Sequence, residues 1–124
     1  MICYLGIETL AVTVAYSKAC AFTGEHSLPA LEAAHILPFA KGGDHVVNNG
    51  ILLRSDLHKL FDRGYMTITP DLRIEVSRRL KLDYSNGQTY YPLHGHEIRK
   101  PKKRIDLPNK EFLRWHNDNV FRAA

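Results

Sequence analysis

The chain has 124 residues, 44% of them hydrophobic, with 17 Lys and Arg against 13 Asp and Glu and a formal net charge of +4. That length fits a single domain over 1–124, with a modest core and little room for a second. No apolar run approaches the roughly 18 residues of a membrane helix, so no membrane contact is expected, and two cysteines, Cys3 and Cys20, are too few for a four-cysteine zinc site.

The apolar start, Met1 to Ala15, has no basic leader and is interrupted by Glu8. It reads as part of the domain and not as a targeting segment. A cytoplasmic location with reduced thiols is the expectation that follows, and a Cys3–Cys20 disulfide is the open alternative. Ile7–Tyr16 suits a short buried helix or a strand about equally. Thr23-Gly24-Glu25 reads as a turn. Leu31–Ile36 predicts a strand that stops before Pro38. Pro38–Asn49 predicts a loop, with Gly42-Gly43-Asp44 at its middle and Asn48-Asn49-Gly50 at its end favouring turns and positive φ. Ile51-Leu52-Leu53 predicts a second strand. Ser55 is placed to cap a helix from Asp56 to about Arg63, with Gly64 as its stop.

Tyr65–Thr69 and Arg73–Val76 alternate around Pro70-Asp71 and predict a hairpin. Ser77–Tyr84 predicts a helix ended by Asn86-Gly87, and Thr89–Leu93 a short strand. Residues 99–108 read as an exposed connector. Asn109 is placed to cap a final amphipathic helix, Lys110 to Phe121, that buries Phe112, Trp115, Val120 and Phe121. The fold class is α+β with short elements.

The strand, loop, strand and helix over 31–63 carry His35, Asn49 and His58, and Asp62 follows His58 by four positions. That spacing puts both side chains on one helix face, close enough to share an ion. An imidazole with a carboxylate suits one divalent metal ion, with Mg, Mn, Ni and Zn all open. Phosphodiester hydrolysis needs a group that activates water and a group that stabilises charge on phosphate. A neutral histidine does the first near neutral pH, and a metal ion does the second. Asn49 suits an orienting role, since its amide can bond the backbone of the loop and hold the first strand in register with the helix. Two basic clusters, Arg78-Arg79 with Lys81 and Arg99-Lys100 with Lys102-Lys103-Arg104, are candidate phosphate contacts, and Arg54 leads into the active helix. His94, His96 and His116 read as packing or surface groups, and Trp115 as core.

The ordered set His35-Ile36-x-Pro38, Gly42-Gly43, Asn49-Gly50-Ile51-Leu52-Leu53 and Leu57-His58-x-x-Phe61-Asp62 resembles the HNH endonuclease family. Asn49 follows His35 by 14 positions and precedes His58 by 9, which agrees with the family. Cys20 to Gly64 holds the motif, and the flanks, Tyr65–Ser77 and Leu113 to Phe121, resemble HNH domains that end restriction-type enzymes. The resemblance implies a ββα-metal core, with the hairpin and terminal helices added to it. It implies a metal-dependent endonuclease acting on DNA, with His35 as general base, Asn49 fixing loop and helix, His58 as metal ligand and Asp62 as the second helical ligand. Arg54, Arg78, Arg79, Lys102 and Lys103 are then the nucleic-acid contacts. A recognition domain or partner protein would supply specificity, and a homodimer would supply the two cuts of a double-strand break. One position departs from the pattern: where many relatives carry an acidic residue or histidine before the first motif histidine, this chain has Ala34. Glu32, two residues back, is the candidate to reach the metal directly or through water. The runner-up reading is a degenerate HNH-fold module that binds nucleic acid without cutting it. A third is a structural domain with an incidental metal.

Overall fold

The computed structural model describes residues 6–38 and 46–123. Cys3, the Gly42-Gly43-Asp44 stretch and His45 lie outside the described residues. Cys20 is a buried free thiol. Helix α1 (Gly6–Ala15) answers the helix-or-strand ambiguity at the start of the chain. Strands β1 (Leu31–His35) and β2 (Gly50–Arg54) then pair antiparallel, with Ala34 opposite Ile51, Ala33 opposite Leu52 and His35 opposite Gly50. Helix α2 (Ser55–Asp62) follows β2 without a break. Strands β3 (Met66–Ile68) and β4 (Ile74–Val76) form the expected hairpin, helix α3 spans Arg79–Tyr84, and helix α4 spans Lys110–Asn119. The class is α+β: a ββα unit with an added hairpin and flanking helices.

One core runs through these elements. Ile51, Leu53, Leu57, Phe61, Met66, Ile68, Ile74 and Leu113 are wholly buried. A Phe or Leu side chain buried in this way contributes about 2–3 kcal/mol of transfer free energy. Two glycines fix how the site elements meet. Gly50 is extended, at φ −118°, and not in the positive-φ turn expected of it. It is needed for close approach, because a Cβ there would strike the Val12 side chain of α1. Gly64 ends α2 at φ +83°, and a Cβ there would strike the Val120 carbonyl of the C-terminal segment. That segment is strapped back over the end of α2 by Arg122 N–H donating to the Gly64 carbonyl at 2.9 Å.

Four local expectations are corrected. Ser55 is not a cap: Arg54 is the N-cap residue and its side chain makes no capping bond, and the Ser55 hydroxyl donates to the Ala30 carbonyl instead. Thr89–Leu93 is no strand. Tyr91–Leu93 is a 3₁₀ turn, because Pro92 lacks a ladder donor and the Gly87 carbonyl takes the N–H groups of both Tyr90 and Tyr91. Helix α3 is closed by Ser85 in the left-handed region, one residue before Asn86-Gly87. In α4 the buried residues are Leu113 and His116, while Phe112, Trp115, Val120 and Phe121 are half-buried. The Asn109 cap is present, its Oδ1 accepting the Glu111 N–H at 2.8 Å.

Candidate active site

The site begins with Asn49, whose side chain is sealed from solvent. Its Oδ1 accepts the Leu37 N–H at 2.8 Å and its Nδ2 donates to the Leu37 carbonyl at 2.8 Å. Its own carbonyl accepts the Ile36 N–H at 2.9 Å. A single side chain thereby imitates the next rung of the β1–β2 ladder, beyond the last true pair, His35 with Gly50. The backbone on the far side of His35 is held as firmly as the strand before it.

His35 opens into a cleft of about 260 Å³ that Asp62 also lines, with Ile36, Pro38, Trp115 and Val120 as apolar walls. The end of β1 and the end of α2 thus present an imidazole and a carboxylate to one space. Asp62 stands beside His58 on α2 at the expected spacing, with its Oδ2 3.1 Å from His58 Nε2. His58 is buried, and its other nitrogen, Nδ1, lies 2.8 Å from Glu32 Oε1. Glu32 sits on β1, opposite Leu53. Its carboxylate engages the ring of His58, so its place in the site is behind the imidazole.

This arrangement bears on a metal ion. A carboxylate can only accept, so Glu32 draws the imidazole hydrogen to Nδ1 and turns the Nε2 lone pair toward Asp62. Two acceptor atoms then face each other, and a cation must reconcile them: a proton or a metal. Cis donors of an octahedral ion at about 2.1 Å stand about 3.0 Å apart, close to the 3.1 Å found here. A carboxylate behind a ligating imidazole is also the usual support of such a ligand. The donor set therefore fits one divalent ion. Among the described residues no group of three or more His, Cys, Asp or Glu side chains is placed to hold a metal ion, so the fit rests on the His58 and Asp62 pair alone. Ala34, where a further ligand was considered, is a buried core residue.

His116 is a buried imidazole of a different kind. It stacks on Phe61 with ring centroids 3.9 Å apart, its Nε2 donates to the Phe61 carbonyl at 2.9 Å, and its Nδ1 accepts the Thr67 hydroxyl at 2.6 Å. Asn117 Nδ2 donates to that hydroxyl at 2.8 Å, which fixes the direction of the chain of bonds. Burial pushes the His116 pKa down to about 4, against a smaller upward pull from the Phe61 carbonyl. It is neutral, and it braces α4 against α2 at the back of the cleft.

The basic residues are spread out. Arg54 forks onto Asp56, Nε to Oδ1 at 2.7 Å and Nη2 to Oδ2 at 3.0 Å, and Tyr90 donates to the same carboxylate. Burial acts to raise the Asp56 pKa, and the bonds from Arg54 and Tyr90 outweigh it and hold the carboxyl below its ordinary range. Arg79 is likewise paired with Asp83, at 3.0 Å. Arg78 is exposed at the start of α3, and Lys102 and Lys103 are exposed beside α1, lining a groove with Leu10 and Val14. None of these five lines the His35 cleft. Trp115, read from the sequence as core, is instead a cleft wall. The apolar periodicity of α4 marks Trp115 as inward-facing without distinguishing a core from a cleft.

An antiparallel strand pair feeding a helix, with a histidine at the strand end, an asparagine locking the return and a histidine on the helix, defines an HNH-type ββα unit. Residues 20–69 match the family described as HNH endonuclease. Over those residues the chain is similar to the HNH endonucleases, as its motifs suggested, and the match spans the whole unit from Cys20 through the start of the hairpin. A search of curated proteins returns no match. Among solved structures, the fold is similar to that of the modification dependent TagI restriction endonuclease, with a TM-score of 0.63 and 22% identity. That similarity covers 94% of this chain and 38% of the other, so the chain spans well under half the length of that enzyme. No described helix is long and apolar enough to cross a membrane.

Proposed function

We propose that the chain is a metal-dependent endonuclease domain that hydrolyses DNA phosphodiester bonds at the cleft between β1 and α2. One observation carries the reading: His35 and Asp62 line the same cleft, and Asp62 stands 3.1 Å from His58 Nε2. His35 takes a proton from the attacking water as the water oxygen forms its bond to phosphorus. The bond from phosphorus to the leaving sugar oxygen breaks, and solvent protonates that oxygen. Asn49 keeps the His35 ring in the cleft by holding Leu37 on its far side. His58 Nε2 and Asp62 would hold one divalent ion, and Glu32 orients the His58 ring toward it. When bound, that ion supplies positive charge to the phosphate and leaving oxygen in the transition state.

Exposed Arg78, Lys102 and Lys103 are the freest of the named cations to meet phosphates at a distance from the cut. Phosphate contacts carry no sequence information, so specificity belongs to a recognition domain or partner protein. Two cuts for a double-strand break require repeated nicking or a homodimer. A plasmid-nicking assay with magnesium, manganese, nickel and zinc tests the reading. Wild type is expected to nick with at least one of them, and His35→Ala to lose at least 100-fold in rate, the low end of a general-base contribution. Equal nicking by the two proteins would refute the role of His35.

A further inference from the structure

We infer that the apolar part of the cleft beside His35 receives one unpaired nucleobase of the substrate strand, stacked on the indole of Trp115. The inference rests on the nuclease reading and adds a substrate feature to it, a base free to leave its stack next to the cut. Three observations carry it. The cleft is continuous with the catalytic face: the wall formed by Ile36 and Pro38 comes from the same segment as His35, and Trp115 and Val120 close the other side. Trp115 is half-buried although its neighbours on α4, Leu113 and His116, are sealed, so the indole borders the opening without filling the core. The volume, about 260 Å³, lies below the roughly 300–1,000 Å³ of sites for drug-sized ligands. It suits a single ring system and excludes a base pair.

The chemistry of the walls favours a base over the other parts of a nucleotide. Away from the His35 and Asp62 end, where the scissile phosphate is proposed to lie, a phosphate would meet only the apolar carbon of Ile36, Pro38 and Val120. A deoxyribose within a strand offers only its ring oxygen as a polar group, and the apolar walls carry no donor to meet it. A base presents a flat, uncharged face, and stacking on an aromatic side chain tolerates every base because each has a π-face. The neutral, hydrogen-bonded His116 behind the indole adds no charge that would select against it. A base drawn into this space must leave the duplex stack, which costs least at single-stranded, mismatched or damaged positions. The ordinary alternative is an indole that covers the seam between α4 and the end of α2 and meets no ligand.

Trp115 is the only tryptophan of the chain, so its fluorescence reports on this wall alone. The test uses the full chain carrying His35→Ala, which binds without cutting. The probes are a single-stranded oligodeoxynucleotide, the same strand with abasic sites throughout, and the matching duplex. The base-bearing single strand is expected to quench Trp115 and to bind roughly tenfold more tightly than the abasic strand, the size of one stacked base. Trp115→Phe should keep most of that preference and Trp115→Ala should abolish it, with circular dichroism showing both folded. Equal binding and equal quenching by base-bearing and abasic strands overturns the subsite, even if the wild-type chain cuts DNA. Base-dependent quenching in a chain that cuts nothing supports the subsite and overturns the nuclease reading.

Discussion

Replacing Asn49 by alanine removes the false rung that holds the chain beyond His35. Two hydrogen bonds disappear at once, both of 2.8 Å, and both partners belong to the Leu37 backbone. The residue is fully buried, and Leu37 is half-buried. An amide or carbonyl left without its partner in such a place costs about 1–3 kcal/mol. Some water reaches Leu37, so the low half of that range applies to each group, and the loss should total about 2–4 kcal/mol. Domains of this size are stable by about 5–15 kcal/mol, so the variant should still fold. The backbone bond from Ile36 to the Asn49 carbonyl and the His35–Gly50 pair do not depend on the side chain. Strand β1 therefore persists, and the damage is confined to the segment that fixes the His35 ring from the far side. A misplacement of about 1 Å at a catalytic group costs on the order of 100-fold in rate. Urea unfolding followed by circular dichroism gives the stability change, and plasmid nicking on fully folded protein gives the rate. A stability loss under about 0.5 kcal/mol, the usual size for an uninvolved surface site, or nicking at the wild-type rate, would refute the clamp.

Glu32→Gln should weaken binding of a divalent ion by roughly 10–100-fold without unfolding the chain, because the carboxylate behind His58 is replaced by a neutral amide. Titration calorimetry on the metal-free protein checks this, and unchanged affinity would mean that Glu32 does not orient His58. His116 predicts a stability that falls in mild acid. Its folded pKa of about 4 lies below the ordinary 6.5, so its contribution is complete above pH 6.5 and is lost as pH falls toward 4. By pH 5 the loss relative to pH 7.5 is about 2 kcal/mol, from about 1.4 kcal/mol per unit of pKa difference. His116→Gln should flatten that limb of a urea-unfolding series against pH, and an identical slope in wild type and variant would refute the assignment.

Most of the ββα unit was legible in the sequence because its signals are local. The short apolar stretch ended by Pro38, the apolar Ile51–Leu53 run and the four-residue step from His58 to Asp62 all act within one element. The failures come where a distant group competes. Ser55 looks like a cap until the Ala30 carbonyl, 25 residues away in sequence, takes its hydroxyl. Thr89–Leu93 looks like a strand until Gly87 collects two of its N–H groups. Glu32 reads in the sequence as a reach to the metal, directly or through water, and the structure puts its carboxylate against His58 Nδ1. Its actual partner is decided by how α2 is rotated over β1, which no spacing within either element encodes.

The two buried imidazoles show why the same residue type carries chemistry at one place and packing at another. His58 and His116 are both sealed from solvent. His116 finds one carbonyl and one hydroxyl, a set that a neutral ring satisfies completely by donating from Nε2 and accepting at Nδ1. Adding a charge there would break the bond from Thr67 and leave the charge without a counterion, which agrees with its depressed pKa. His58 finds a carboxylate at each nitrogen. A neutral ring can satisfy only one of them, so the pair formed by Nε2 and Asp62 calls for a cation. Both carboxylates are also partly open, at 23% for Glu32 and 28% for Asp62, while Asp62 Oδ2, the oxygen that faces His58, is itself sealed from solvent. Burial alone does not separate the two histidines; the number of acceptors around each ring does, and the proposed ligand role of His58 rests on that difference.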